Sequence, residues 1–228
     1  MFPIGDDNEH SGVPIVTWTL IALNVLAFFL EISRPSEAAL QSFIQSWGVV
    51  PREYATGRDI APLIAAPYWI TLFTSMFLHG GWMHLGGNML YLWIFGDNLE
   101  HVMGAVKFLI FYLVCGLAAS AAHILFNLNA GIPAVGASGA ISGVLGGYLL
   151  MFPRNRVRVL TYGQVAHVPA IVVLGIWIVL QLINGIGTVA TTSETGGGIA
   201  FMAHIGGFAA GLVLVKLFVT RRTATVYR

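Results

Sequence analysis

Six apolar stretches dominate this chain: 14–31, 82–99, 105–126, 134–152, 168–187 and 199–219. Each is near the roughly 20 residues that a helix needs to cross a bilayer core. Lipid cannot satisfy exposed backbone N–H and C=O groups, so these stretches are expected to be helices. The fold class that follows is an all-α integral membrane protein, a bundle of six transmembrane helices. Composition agrees, with 57% hydrophobic and 9% charged residues, against about 25% charged in a soluble domain. The fourth stretch is short and rich in glycine, a pattern common where membrane helices pack closely.

Residues 32–81 form a long first connection that contains "IAPLIAAPYWITLF". It is too apolar for a free linker, and part of it is expected at the membrane interface. Residues 1–13 are acidic where a cleavable signal would be basic, so the first apolar run is expected to stay in the protein. The chain reads as a short N-terminal segment (1–13), one membrane domain (14–220) and a tail (221–228). Lys107, Arg154, Arg156, Arg158, Lys216, Arg221, Arg222 and Arg228 share one side of a six-span topology. Only Arg34, Arg52 and Arg58 fall on the other. That bias places both termini in the cytoplasm. A formal net charge of +1 argues against nucleic acid as a partner, because phosphate binding needs clustered positive charge. The single cysteine, Cys115, forms no internal disulfide.

Polar groups inside a spanning segment are costly and default to functional candidates. They are His79, His84 and Asn88 in "FLHGGWMHLGGNML", Asn24, His123, Ser138, Ser142, and His204 in "FMAHIGGFAAG". No Asp or Glu falls well inside a span, which speaks against a proton-coupled pump. His79 and His84 lack an HExxH context and a third ligand, so no metal site is expected. A Ser-His-Asp triad lacks its Asp, but a serine activated by a histidine alone remains open.

Ser138 sits about a turn or two inside the outward end of the fourth stretch, and His204 about five residues into the sixth. The two are expected at similar depth. Gly139, Gly143 and Gly147 recur every four residues on one helix, and Ala203, Gly207 and Gly211 on the other. Such rows permit close backbone approach and a serine–histidine hydrogen bond. His84 and Asn88, four apart, share a helix face. Together with the Ser138 backbone N–H they can donate to the oxygen of a carbonyl under attack. Each group also has a structural reading. Ser138 can be a small packing residue, His204 a hydrogen-bonded core histidine, and His84 and Asn88 helix bridges. Asn24, Ser142 and His123 offer no partner and stay structural.

At "GASG" around Ser138, "AHIGGFAAG" around His204 and "HGGWMHLGGN" around His84 and Asn88, the sequence resembles the rhomboid family of intramembrane serine proteases. The motifs follow the family order over residues 14–220, on the second, fourth and sixth of six spans. The resemblance implies Ser138 as nucleophile, His204 as general base, and an oxyanion hole from His84, Asn88 and the Ser138 N–H. It implies that Gly136 allows close approach beside the nucleophile, and that His79 helps to order the region. Two positions depart from the family. Trp69 has no adjacent arginine, and Ser142 stands where some members place a tyrosine against the catalytic histidine.

The function implied is a rhomboid-like serine endopeptidase without metal or cofactor, cutting single-pass transmembrane proteins within or near the bilayer. Its expected setting is membrane lipid, as a multi-pass protein of a bacterial-type plasma membrane. The alternative is a non-catalytic rhomboid-like protein that binds membrane clients. A small channel or transporter fits less well, because intramembrane carboxylates are missing.

Overall fold

The computed structural model describes residues 2–8, 12–63, 66–191 and 200–219. Glu194, Arg221, Arg222, Arg228 and the tail 221–228 lie outside the described residues. Every apolar stretch contains a helix: α1 (Ile15–Ile32), α5 (Trp82–Met103), α6 (Ala105–Phe126), α7 (Ser138–Met151), α8 (Ala170–Thr191) and α9 (Phe201–Phe218). Among the described residues, α1, α6, α8 and α9 are long and apolar enough to cross a membrane by themselves. The count of six spans is therefore not reached on length and composition alone. At 22 residues, α5 has the length but carries His84, Asn88, Asp97, Asn98 and Glu100.

The fourth stretch differs from its expectation. A helix was expected over 134–152, but α7 starts only at Ser138 and has 14 residues. It is about 21 Å long, short of a bilayer core of roughly 30 Å. Its lead-in is extended because it is used elsewhere. Ala134 pairs with Val49 through two backbone hydrogen bonds of 3.0 and 2.8 Å, and Gly136 donates to the Ser75 carbonyl at 2.8 Å. Residues Gly139–Tyr148 are all buried, packed among α5, α6 and α9. A short helix is tolerable there because protein, not lipid, surrounds it.

Small residues make that burial possible. A Cβ on Gly207 would overlap the carbonyl oxygen of Gly139, one on Gly211 that of Gly143, and one on Gly146 that of Phe208. The α7–α9 seam is thus backbone against backbone. Gly143 also abuts Cys115 of α6, and Gly147 faces Leu99, Phe111 and Val215. Ala203 lies against Gly139. Below the seam, Phe95, Phe108, Phe111, Tyr112, Leu145 and Tyr148 fill the core.

Carboxylates hold both ends of α1. Pro14 provides no side-chain cap. Instead Glu100 of α5 accepts from the Val16 and Thr17 N–H groups at 2.9 and 2.8 Å, and from the Thr17 hydroxyl at 2.8 Å. This satisfies donors that a helix start leaves open and places negative charge at its positive end. At the other end, buried Glu31 accepts from the His79 N–H at 2.9 Å. The first connection is itself folded, into α2 (Glu37–Trp47), α3 (Pro51–Thr56) and α4 (Thr71–Thr74) with single 3₁₀ turns on either side of α4. Lacking a Trp-Arg pair, it is tied down by other bonds. The Tyr54 hydroxyl meets Thr71 Oγ1 at 2.8 Å, and the Thr74 hydroxyl donates to the Trp47 carbonyl at 2.7 Å.

A three-stranded antiparallel sheet, β1 (Phe2–Asp6), β2 (Arg156–Thr161) and β3 (Gln164–Pro169), caps one end of the bundle. The apolar pattern did not announce it. Its local signals are the alternation that buries Val157 and Val159, and a turn at Tyr162–Gly163 with φ of 48° and 77°, the primed geometry that suits hairpins. The Tyr148 hydroxyl of α7 donates to Asp6 at 2.7 Å, and the Asn8 amide bonds Asn98 of α5.

Candidate active site

Ser138 opens α7. The first hydrogen bond of the helix runs from the Ile141 N–H to the Ala137 carbonyl. The Ser138 N–H therefore belongs to the opening turn, where no carbonyl one turn earlier accepts and the helix end is positive. The Ser138 hydroxyl lies 2.8 Å from His204 Nε2. The seam sets that distance. Ser138 precedes Gly139, and His204 stands one turn before Gly207, so the residues that let the backbones touch also bring hydroxyl and imidazole together.

The far side of the His204 ring answers how the histidine is held without a tyrosine at position 142. Nδ1 lies 2.8 Å from Gln181 Oε1 on α8. Trp177, one turn earlier on α8, has its ring centre 5.9 Å from that of His204 at a tilt of 37°. An amide oxygen accepts, so Nδ1 carries the proton and the Nε2 lone pair faces the serine. Ser142 bonds back to the Ser138 carbonyl at 2.6 Å, as a serine in a packed membrane helix commonly does.

His84 enters from α5. Its Nδ1 accepts the Gly80 N–H at 3.3 Å, which leaves Nε2 as the protonated, donating nitrogen. Gly136 makes room for it. Gly136 has φ +128°, and a Cβ there would stand 2.8 Å from His84 Nε2 and 3.5 Å from the Ser138 hydroxyl. The imidazole edge and the hydroxyl thus border one small space that only glycine leaves open. Asn88 is buried, and its Nδ2 has no hydrogen-bond partner among the described residues. An unpaired buried donor costs about 1–3 kcal/mol, a cost that suits a group whose partner arrives with a ligand.

His79 does not join this space directly. Its ring packs edge-on against His84 with centres 5.1 Å apart, while its backbone N–H is held by Glu31. Burial, followed by the neighbouring His84, pushes the His79 ring down to about 4, so it is neutral near pH 7. Beside Ser138 a cavity of about 30 Å³ is lined by Ser75, Ser120, His123, Met76, Gly116 and Ala203 among others, enough for one water. His123 thus borders the site, though its own bonds run to Asn127. Asn24 stays apart, its amide bonded to the Leu20 carbonyl at 2.7 Å. No group of three or more His, Cys, Asp or Glu stands close enough to hold a metal among the described residues.

Gln181, Trp177 and Glu31 escaped the sequence reading. Gln181 carried a signal of the same kind as His204, a polar group within a span.

The family model of the Rhomboid domain matches residues 66–221. The chain is 35% identical over 147 residues to "Rhomboid protease GluP" of Bacillus subtilis (strain 168), covering 64% of this chain and 26% of that protein. It is 29% identical over 203 residues to "Rhomboid protein 1, mitochondrial" of Saccharomyces cerevisiae, covering 87% and 51%. It is 28% identical over 211 residues to "Putative rhomboid protease YdcA" of Bacillus subtilis, covering 92% and 90%. The chain thus spans about a quarter and half the length of the first two, and nine tenths of the third.

Proposed function

The chain belongs to the rhomboid family of membrane proteins, several of whose members are named proteases, and from that premise we propose that it is an intramembrane serine endopeptidase. The observation that carries this reading is the 2.8 Å contact between the Ser138 hydroxyl and His204 Nε2. As Oγ bonds to the scissile carbonyl carbon, its proton passes to Nε2 and the carbonyl electron pair moves onto oxygen. The Ser138 N–H, His84 Nε2–H and Asn88 Nδ2 are the donors for that oxyanion, each worth roughly 2.7–4 kcal/mol of barrier. His204 then returns the proton to the leaving amine, and a water repeats the cycle on the acyl-serine.

The substrates proposed are single-pass transmembrane proteins whose helix unwinds locally, because a helical carbonyl is shielded and already bonded. The small cavity beside Ser138 suits a small residue before the cut. In this reading six helices cross the membrane, with both termini cytoplasmic and Ser138 toward the outer side.

A fluorophosphonate probe tests the nucleophile in detergent. The wild type is expected to be labelled and Ser138→Ala not. Equal labelling of the two removes Ser138 from the mechanism. His204→Ala is expected to insert and fold but not to cleave, and retained turnover points to another base.

A further inference from the structure

We propose that Gln181 is a positioning residue of this site. Its side-chain oxygen holds His204 in the Nδ1–H tautomer, so that Nε2 stays unprotonated opposite Ser138. The inference rests on the protease reading for its consequence, but not for its geometry. The two nitrogens of His204 make opposite contacts, Nε2 to the Ser138 hydroxyl and Nδ1 to Gln181 Oε1, both at 2.8 Å. A neutral imidazole has one donor and one acceptor nitrogen, and the partner of one sets the role of the other. The groups around the ring leave this task to Gln181. His204 is buried, Ser142 is committed to the Ser138 carbonyl, and the polar side chains bordering the cavity beside Ser138 are Ser75, Ser120 and His123. Trp177 holds the ring from the same face of α8, one turn from Gln181, and also packs on Phe208 of α9.

A neutral amide in this place differs from a carboxylate in one useful way. It accepts the Nδ1–H bond without adding a second charge to a site enclosed by apolar helices, where an unpaired charge is expensive. When Oγ bonds to the scissile carbon and its proton moves to Nε2, the imidazolium keeps its Nδ1–H on Gln181 Oε1. The proton, once on Nε2, is the one delivered to the leaving amine. A ring in the other tautomer presents Nε2–H to Ser138 and cannot take that proton. Wrong-tautomer histidines lose much of their catalytic power in serine proteases of unrelated fold.

The test uses histidine labelled with nitrogen-15 in the full chain in detergent micelles, with His204→Ala to assign the signals. The wild type is expected to show His204 as the neutral Nδ1–H form. Gln181→Leu is expected to convert it to Nε2–H or to an exchanging mixture, and Gln181→Glu, which keeps an acceptor oxygen, to retain Nδ1–H. With a transmembrane substrate, Gln181→Leu is expected to lower kcat by about 10- to 100-fold with KM unchanged, and Gln181→Glu, which keeps the acceptor but adds the charge, to recover part of it. A wild-type His204 in the Nε2–H form, or a tautomer unmoved in a folded Gln181→Leu protein, overturns the proposal. Absent fluorophosphonate labelling of the wild type would count against the protease reading alone, since the tautomer is read without turnover.

Discussion

Helix α9 packs against α6, α7 and α8, and the last two treat it differently. Toward α7 it presents Gly207 and Gly211, and the carbonyls of Gly139 and Gly143 occupy the space where side chains would be. Toward α8 it presents side chains, with His204 on Gln181 and Phe208 on Trp177. The outer side of α8 is open, with Ile176, Val179, Leu180 and Ile183 all about half exposed. Backbone seams have no rotamers to adjust, so they fix distance. Side-chain contacts fix the orientation of one ring and can be remade. The separation between Ser138 and His204 is therefore a property of the α7–α9 seam, and the facing of the imidazole a property of α8.

The largest expected effect breaks the seam. In Gly207→Ala the new Cβ meets the backbone oxygen of Gly139, which no side-chain rotation relieves. The helices must part by an ångström or more, between the two residues that place hydroxyl and imidazole. Overpacking of this kind costs about 1–3 kcal/mol or more, and a misplacement of about 1 Å can cost 10²-fold in rate. Thermal unfolding in detergent and fluorophosphonate labelling should both fall. A protein that keeps its melting temperature and its labelling rate would mean that the seam has slack.

Asn88→Ala is expected to damage the rate at least as much, yet without harm to the fold, so its combined effect is smaller. Nδ2 of Asn88 has no partner among the described residues, so its removal orphans none of them. If it serves the oxyanion, kcat should drop by about 10²–10³-fold while the melting temperature holds. A loss of stability with unchanged kcat would make Asn88 a helix bridge, and would leave the chemistry resting on the seam alone.

How much of this was open to a reader of the sequence follows the same division. The seam was legible, because four-residue glycine spacing on two helices is a local pattern with a direct steric meaning. Ser138 and His204 followed from depth along the spans, and His84 with Asn88 from shared helical phase. The pairing of His204 with Gln181 was not legible. The span carrying Gln181 also carries Asn184, and nothing in spacing says which face of α8 meets α9. Glu31 and Glu100 were hidden differently. A carboxylate at a span end reads as interfacial, whereas here each is buried against a neighbouring element. The β2–β3 hairpin does leave a local trace, an alternation around the Tyr162–Gly163 turn, but β1 lies some 150 residues away, and pairing at that distance leaves none. The late start of α7 has a similar cause, since the Val49–Ala134 bridge draws the lead-in away from the helix.

The smallest effect expected comes from repeating the first substitution on the other neighbour. Gly175 of α8 has nothing among the described residues within reach of an added Cβ. Alanine there enters open space on a helix whose backbone is already regular, and loses less chain entropy on folding than glycine does. Gly175→Ala should leave labelling and kcat unchanged and move stability by at most about 1 kcal/mol, upward. The chemical change equals that in Gly207→Ala, one methyl group, so differing outcomes isolate the geometry of the contact from the nature of the residue. If the two variants behave alike, the helices are held by something other than the close approach of their backbones. The distance between Ser138 and His204 would then need another cause, such as the Glu31 and Glu100 clamps on α1.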